Sequence, residues 1–267
     1  MEKINEVSKK QKEDEKLLEA KVLDKIKQSD SKNRFANTDF LDLAEQEIVR
    51  KIVTAMKVDN CQLYGGYENA ERKMLVIFPK MLNEYINKEN YLHQTMKIIR
   101  IILPKELHGT FEHRNYLGAL MKLGIKREKV GDILVRNDGA DIIISCDIEK
   151  FLLLNLNTLT RFQKSKIESK DIQELIYCEK EKETLKINVP SMRLDCIVGE
   201  LARCSRNDAL EIIKQERVFV NFKEEVSHKR NIAEDTYITI RGKGRFKIVK
   251  IEGTTRSGRL NVIVEKN

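Results

Sequence analysis

The chain has 267 residues, is 41% hydrophobic and 34% charged, and contains three Pro and no Trp; it is long enough for more than one domain and apolar enough for true cores. No apolar run approaches a membrane span and the charged N-terminus is unlike a secretory signal, so a soluble, cytoplasmic protein is expected. The net charge of +8 is uneven: residues 186–267 hold 17 Lys/Arg against 11 Asp/Glu, and the preceding residues 33 against 31, which points the basic end at a polyanion, nucleic acid first.

In chain order, residues 1–33 alternate Lys and Glu around sparse apolar positions (Ile4, Val7, Leu18, Ile26) and read as a polar helix or a partly ordered arm. A helix follows, capped by Thr38 or Asp39, with Leu41, Ala44, Ile48, Ile52 and Ala55 at helical spacing. Short strands are expected at 62–67 and 74–78, near Gly65-Gly66. Next come a buried strand at 97–103, a helix at 112–123 stopped by Gly124, and a strand at 132–136. Asn137-Asp138-Gly139 is expected to turn the chain through positive φ into a strand at 140–145. Asp147 is expected to cap a helix to about 157, before a last strand at 161–167. This β-α-β-β-α-β order is ferredoxin-like, the topology of RNA-recognition motifs. Such motifs stack bases on aromatics in their central strands; these strands have almost none, so a scaffold, or contact with RNA or protein through other surfaces, is expected instead.

A Glu/Lys-rich boundary is placed at 178–184. Beyond it, Ser191 is expected to cap a helix at 192–202. Ser205 caps a second helix, with Asp208 as capping-box partner. Strands follow at 217–221, 237–241, 245–251 and 260–265. The five cysteines, Cys61, Cys146, Cys178, Cys196 and Cys204, are odd in number and never paired as C-x-x-C; with His93, His108, His113 and His228 they give no metal spacing. No metal, cofactor or disulfide framework is expected, and no nucleophile elbow or phosphate-cradling loop is present.

The string Arg193-Leu194-Asp195, then Ser205-Arg206, Ala209, Ile213 and Val218-Phe219-Val220-Asn221 resembles the RNA-binding domain named after small-subunit ribosomal protein S-four. The resemblance implies two short helices and a hairpin forming an αL-shaped surface that grips structured RNA. Helix starts offer N–H groups to phosphates, and Arg offers a two-pronged fork. Arg193, Ser205, Arg206 and Asn207 are therefore candidate RNA contacts. Lys214, Asn221, Lys223, Lys229 and Arg230 continue the track, and Arg241, Lys243 and Arg245 add a second phosphate region beside Lys247, Lys250, Arg256 and Arg259. Asp195 is expected to pair with an Arg or cap backbone, and Leu194, Ile197, Leu201, Ala209, Ile212 and Ile213 to be core. Glu216 stands where the family usually has a left-handed Gly, so the helix is expected to end differently.

The resemblance extends upstream. Gly65-Gly66-Tyr67, Glu71-Arg72, His113-Arg114, Tyr116-Leu117-Gly118-Ala119-Leu120, Arg127, Gly131-Asp132-Ile133 and Gly242-x-Gly244-Arg245-Phe246 resemble the YlmH family of bacterial S-four-domain proteins. The resemblance implies association with the large ribosomal subunit, and a monomer is expected. Its RNA partners are then large-subunit rRNA and tRNA, in the handling of stalled subunits carrying peptidyl-tRNA. The expected class is α+β: an N-terminal helical region with a small hairpin (1–92), a ferredoxin-like domain (93–180) and an S-four-like domain (186–267). The alternative is an RNA-modifying enzyme of the pseudouridine-synthase kind, whose catalytic Asp lies in an Arg-Leu-Asp string. Here that string opens the RNA-binding helix, and no second one follows.

Overall fold

The computed structural model describes residues 2–80, 88–177 and 183–266; side chains 1–12 and 14 lie outside the description. The protein mixes helix and strand and divides into two compact units, Met1–Tyr177 and Cys178–Asn267.

The first unit opens with α1 (Glu2–Lys32), whose Leu18, Val22 and Ile26 recur every four residues and face its core. A two-residue strand β1 (Ala36–Asn37) leads to α2 (Leu43–Ala55). Asp42 caps α2, with Glu45 completing a capping box. The expected caps do other work: the Thr38 hydroxyl donates to the Asp39 carbonyl and accepts from the Leu75 amide, and Asp39 pairs with Lys129 at 2.7 Å. β2 (Cys61–Tyr64) and β3 (Met74–Ile77) complete a three-stranded sheet with β3 central.

After α3 (Lys88–Gln94) come β4 (Met96–Ile102), α4 (His113–Lys122), β5 (Val130–Arg136), β6 (Gly139–Ser145), α5 (Glu149–Asn155) and β7 (Lys166–Asp171). The sheet order is β5-β6-β4-β7, antiparallel throughout, which is the order a split β-α-β motif generates. The last strand begins later than expected. Phe162 enters the core from a 3-10 turn, and pairing with β4 starts at Lys166. Asp147 does not cap α5; it binds Lys129 Nζ at 2.6 Å, and a 3-10 turn precedes the helix.

Pleating decides what covers each face of this sheet. Ile99, Ile101, Ile142 and Ile144 face α4 and α5, while Ile98 and Ile143 meet Phe40, Met74, Val76 and Phe78 of the preceding segment. The face that RNA-recognition motifs use for bases is therefore filled by the three-stranded sheet. The boundary expected at residue 92 also falls inside a shared core, because β3 shows one face to α1 and α2 and the other to β4 and β6.

The 137–139 turn differs in detail. Neither Asn137 nor Asp138 has positive φ, and Gly139 is already paired with Arg136. Gly139 is required for another reason: a Cβ there would lie 1.9 Å from the Ile101 carbonyl oxygen. Gly139→Ala is expected to cost about 2–3 kcal/mol, measurable as a lower urea midpoint.

The second unit runs β8 (Glu183–Val189), α6 (Leu194–Ala202), α7 (Arg206–Lys214), β9 (Val218–Val220), β10 (Lys223–Glu224), β11 (Tyr237–Ile240), β12 (Gly244–Thr254) and β13 (Leu260–Lys266). Its sheet order is β10-β9-β11-β12-β13-β8, all antiparallel. β8 occupies ground expected to be linker. Its Leu185, Ile187 and Val189 alternate with polar residues and pack on the core; residues 178–182 of that boundary, Cys178 among them, lie outside the described residues. Alternate residues Val218, Val220, Ile238, Ile240, Phe246, Ile248, Val262 and Val264 bury one sheet face under Leu194, Ile197, Leu201, Ala209 and Ile213 of the two helices.

Candidate nucleic-acid interface

The helix pair of the second unit is organised around Asp195, which is 1% exposed. Arg193 donates from Nε to Asp195 Oδ1 at 3.0 Å and from a terminal nitrogen to Oδ2 at 2.8 Å. Arg206 donates to Oδ2 from Nε at 3.1 Å and from a terminal nitrogen at 2.9 Å. Burial raises the Asp195 carboxyl, but the bonds from Arg193 and Arg206 outweigh it and hold it below the usual carboxylate range. Two guanidiniums against one carboxylate leave net positive charge. Their remaining N–H groups keep outward capacity, with the Arg206 side chain 60% and that of Arg193 34% exposed.

The starts of the two helices differ. Arg193, not Ser191, holds the N-cap position of α6, and the Ser191 hydroxyl lies 3.5 Å from Cys196 Sγ. The first-turn amides expected to meet phosphate are already satisfied. Leu194 N donates to the Arg230 carbonyl at 2.9 Å, Asp195 N to the His228 carbonyl at 3.2 Å, and Cys196 N to Asp195 Oδ1 at 3.1 Å. The loop that closes this helix start brings Lys229 and Arg230 beside Arg193, although Arg230 also pairs with Glu225. α7 follows its expected form: Ser205 Oγ accepts from the Asp208 amide, and Asp208 binds back to Ser205 N. Arg206 and Asn207 form the first turn above it.

The other candidates fall into a second group. Lys214 pairs with Glu211 at 2.8 Å. Asn221 shapes the β9–β10 turn, and its Oδ1 accepts from the Tyr237 amide at 2.9 Å. Lys223 opens β10. Arg241 lies over the Phe219 ring at 4.8 Å and Arg245 over the Phe222 ring at 5.6 Å, while Lys243 is exposed between them in the turn before β12. Phe222 and Tyr237 were not singled out in the sequence, and Phe219 stood there only as part of the motif string; for Phe219 and Tyr237 the signal was alternation with buried Val and Ile beside basic residues.

Glu216 was expected to change the end of α7. It takes the left-handed conformation instead, at φ 59°. Glu216 N donates to the Ile213 carbonyl and Arg217 N to the Ile212 carbonyl, a Schellman closure. The helix therefore ends as a Gly would end it, at a steric cost. Glu216→Gly is expected to stabilise the protein by about 0.5–1 kcal/mol, read as a higher urea midpoint.

The upstream motif residues converge on Asp132 in the first unit. Its carboxylate accepts from the Tyr67 hydroxyl at 2.8 Å, the Glu71 amide at 2.7 Å and the Arg72 amide at 3.1 Å. Arg72 reaches the carbonyls of Val130 and Phe40, and Arg127 those of Val130 and Gly131. Burial and the neighbouring Arg72 bring the Arg127 guanidinium down to about 10, so it remains charged at pH 7. Desolvation, then the Arg127 charge, push the His113 imidazole below its ordinary range. Arg114 is exposed and pairs with Glu112 at 3.0 Å. Asp132 and Arg72 thus knit residues 65–73 to β5, and Arg127 braces the start of that strand. Among the described residues, no group of His, Cys, Asp and Glu is arranged to hold a metal, and no helix is long and apolar enough to cross a membrane.

A family model described as the putative RNA-binding domain in YlmH matches residues 88–174. The chain is 32% identical over 233 residues to the ribosome-associated protein quality control protein P2 of Bacillus subtilis (strain 168), covering 87% of this chain and 88% of that protein. A solved structure, cell division protein ylmH from Streptococcus pneumoniae, aligns with 61% of this chain and 95% of its own at 18% identity and a TM-score of 0.49. The match along most of both chains to the Bacillus protein, with the family domain falling on the β4–β7 sheet and its helices, makes this chain a member of the YlmH family.

Proposed function

We propose that the protein is a non-enzymatic RNA-binding factor of the large ribosomal subunit, gripping rRNA and tRNA on stalled subunits that still carry peptidyl-tRNA. In this reading the second unit is an S-four-like RNA-binding domain. The β4–β7 sheet is a ferredoxin-like domain, and the protein works as a cytoplasmic monomer. The observation that carries the reading is the Asp195 clamp, which holds Arg193 and Arg206 as two pre-oriented guanidiniums beside the start of α7. Pre-orientation lowers the ordering cost of binding phosphate. Support also comes from the relative's name, which associates that protein with ribosomes and quality control.

The enzyme alternative needs an aspartate that reaches a base. Asp195 is buried and bound by two arginines, which favours grip over nucleophilic attack. The test is sedimentation of the full chain with purified large and small subunits over a salt series. Preferential pelleting with large subunits, weakening steeply with salt, is the expected result. Equal pelleting with both subunits, or a modified nucleoside after incubation with unmodified rRNA and tRNA, would contradict it.

A further inference from the structure

The sheet of the second unit has a face turned away from its helices, and its side chains are not those of an inert polar surface. Pleating that buries Val218, Val220, Ile238, Ile240 and Phe246 places Phe219, Tyr237, Thr239, Arg245 and Lys247 on the opposite face. Register aligns them in rows: Phe219 beside Thr239 beside Arg245, and Tyr237 beside Lys247. The Phe222 ring lies 5.3 Å from that of Tyr237. Each ring carries a cation: Arg241 over Phe219, Arg245 over Phe222 and Lys247 over Tyr237. Lys247 is also matched by Asp235 at 2.9 Å, so it adds little net charge. Glu224, cross-strand from Phe219, opposes the basic character; Arg241 and the exposed Lys243 reinforce it.

The backbone at Phe222 gives a second, independent observation. Asn221 and Phe222 form the two-residue link between β9 and β10, with φ of 47° and 66°. Turns of this kind favour Asn followed by Gly, because both central residues are left-handed. Asn221 fits; Phe222 is a bulky side chain at the position that suits Gly best. Strain of this kind persists where the surroundings enforce it, and it concentrates at functional positions. What it achieves here is to hold an aromatic ring at the edge of the cationic row.

We propose that this face binds unpaired RNA nucleotides, stacking bases on Phe219, Phe222 and Tyr237 while Arg241 and Arg245 offer guanidinium planes and phosphate contacts. The proposal rests on the RNA-binding reading and narrows it. The helix pair takes structured RNA through phosphates, and the opposite sheet face takes single strands through base planes. Aromatic rings interleaved with arginines suit single-stranded RNA, since every base has a π-face. An acidic protein partner would be drawn to the cations but has no use for the aligned ring faces.

The experiment uses the full chain with two fluorescent RNAs: a single-stranded heptamer carrying 2-aminopurine, and a stable hairpin without unpaired flanks. The variants are Phe222→Gly and Tyr237→Leu. Phe222→Gly places in the turn the residue it prefers, so its thermal midpoint is expected to match or exceed that of the wild type. Each variant is expected to lose about five- to one-hundredfold in affinity for the heptamer, with less quenching of 2-aminopurine and a smaller change on the hairpin. Heptamer binding and quenching like the wild type in both variants would overturn the stacking face. Wild-type binding of the hairpin but not the heptamer would overturn it while leaving the RNA-binding reading intact. Failure of the wild type to bind either RNA would overturn both.

Discussion

Replacing Arg193 and Arg206 together with Ala is expected to lower affinity for structured RNA at least a hundredfold. A hydrogen bond to a charged group contributes about 1.5–3 kcal/mol when both partners are well placed, and Asp195 places both guanidiniums before RNA arrives. The log–log salt slope should also become shallower by about 1.4–1.8, because two phosphate contacts are lost. The double variant has a second effect: it strands a buried carboxylate, and removing the partners of a buried charge is strongly destabilising. Adding Asp195→Asn removes that stranded charge. The triple variant should therefore recover much of the lost urea midpoint and bind RNA no better than the double. If the triple variant regained affinity along with stability, the arginines would be structural only.

Asp132→Ala is expected to destabilise the first unit by about 3 kcal/mol, because the Tyr67 hydroxyl and the amides of Glu71 and Arg72 lose their acceptor together. Asp132→Asn keeps one side-chain oxygen as an acceptor and should cost less. The pH dependence separates the two aspartates. Asp132 is met by a hydroxyl and two amides; burial lifts its carboxyl above the usual range despite those bonds. The proton-linked part of its contribution is fully present in acid, below the unfolded value, and is lost as pH rises through the lifted folded value, while the accepted hydrogen bonds remain. Asp195 has the opposite sign. Its stabilisation is present at neutral pH and is lost as pH falls from the usual carboxylate range through the depressed folded value. Amide exchange between pH 7 and acid should show the second unit opening more readily on acidification, with Asp195→Asn flattening that trend. Earlier opening of the first unit through Asp132 would contradict the assignment.

What the sequence made legible was local. Ser205 and Asp208 lie three residues apart, so their capping box could be read directly, and it forms. The cap at Ser191 failed because the start of α6 is closed by carbonyls of His228 and Arg230, more than thirty residues downstream. β8 escaped notice because four of its seven residues, Glu183, Thr184, Lys186 and Asn188, are polar or charged, and its apolar positions gain meaning only once β13 pairs with them. β7 was placed too early because Phe162, apolar and strand-like by composition, is a core plug on a 3-10 turn. The motif around Tyr67, Arg72, Arg127 and Asp132 was visible as a set, but its partners lie some sixty residues apart and only the fold joins them. At Glu216 the sequence rule judged the residue correctly as ill-suited and the outcome wrongly, since the Schellman bonds impose the left-handed turn anyway.

The most direct test of RNA grip by the helix pair is a structure of the full chain bound to a large ribosomal subunit. The account predicts Arg193 and Arg206 within hydrogen-bond distance of RNA phosphates while both still hold Asp195. A bound state in which that surface faces solvent, with RNA contacted only through the first unit, would contradict it.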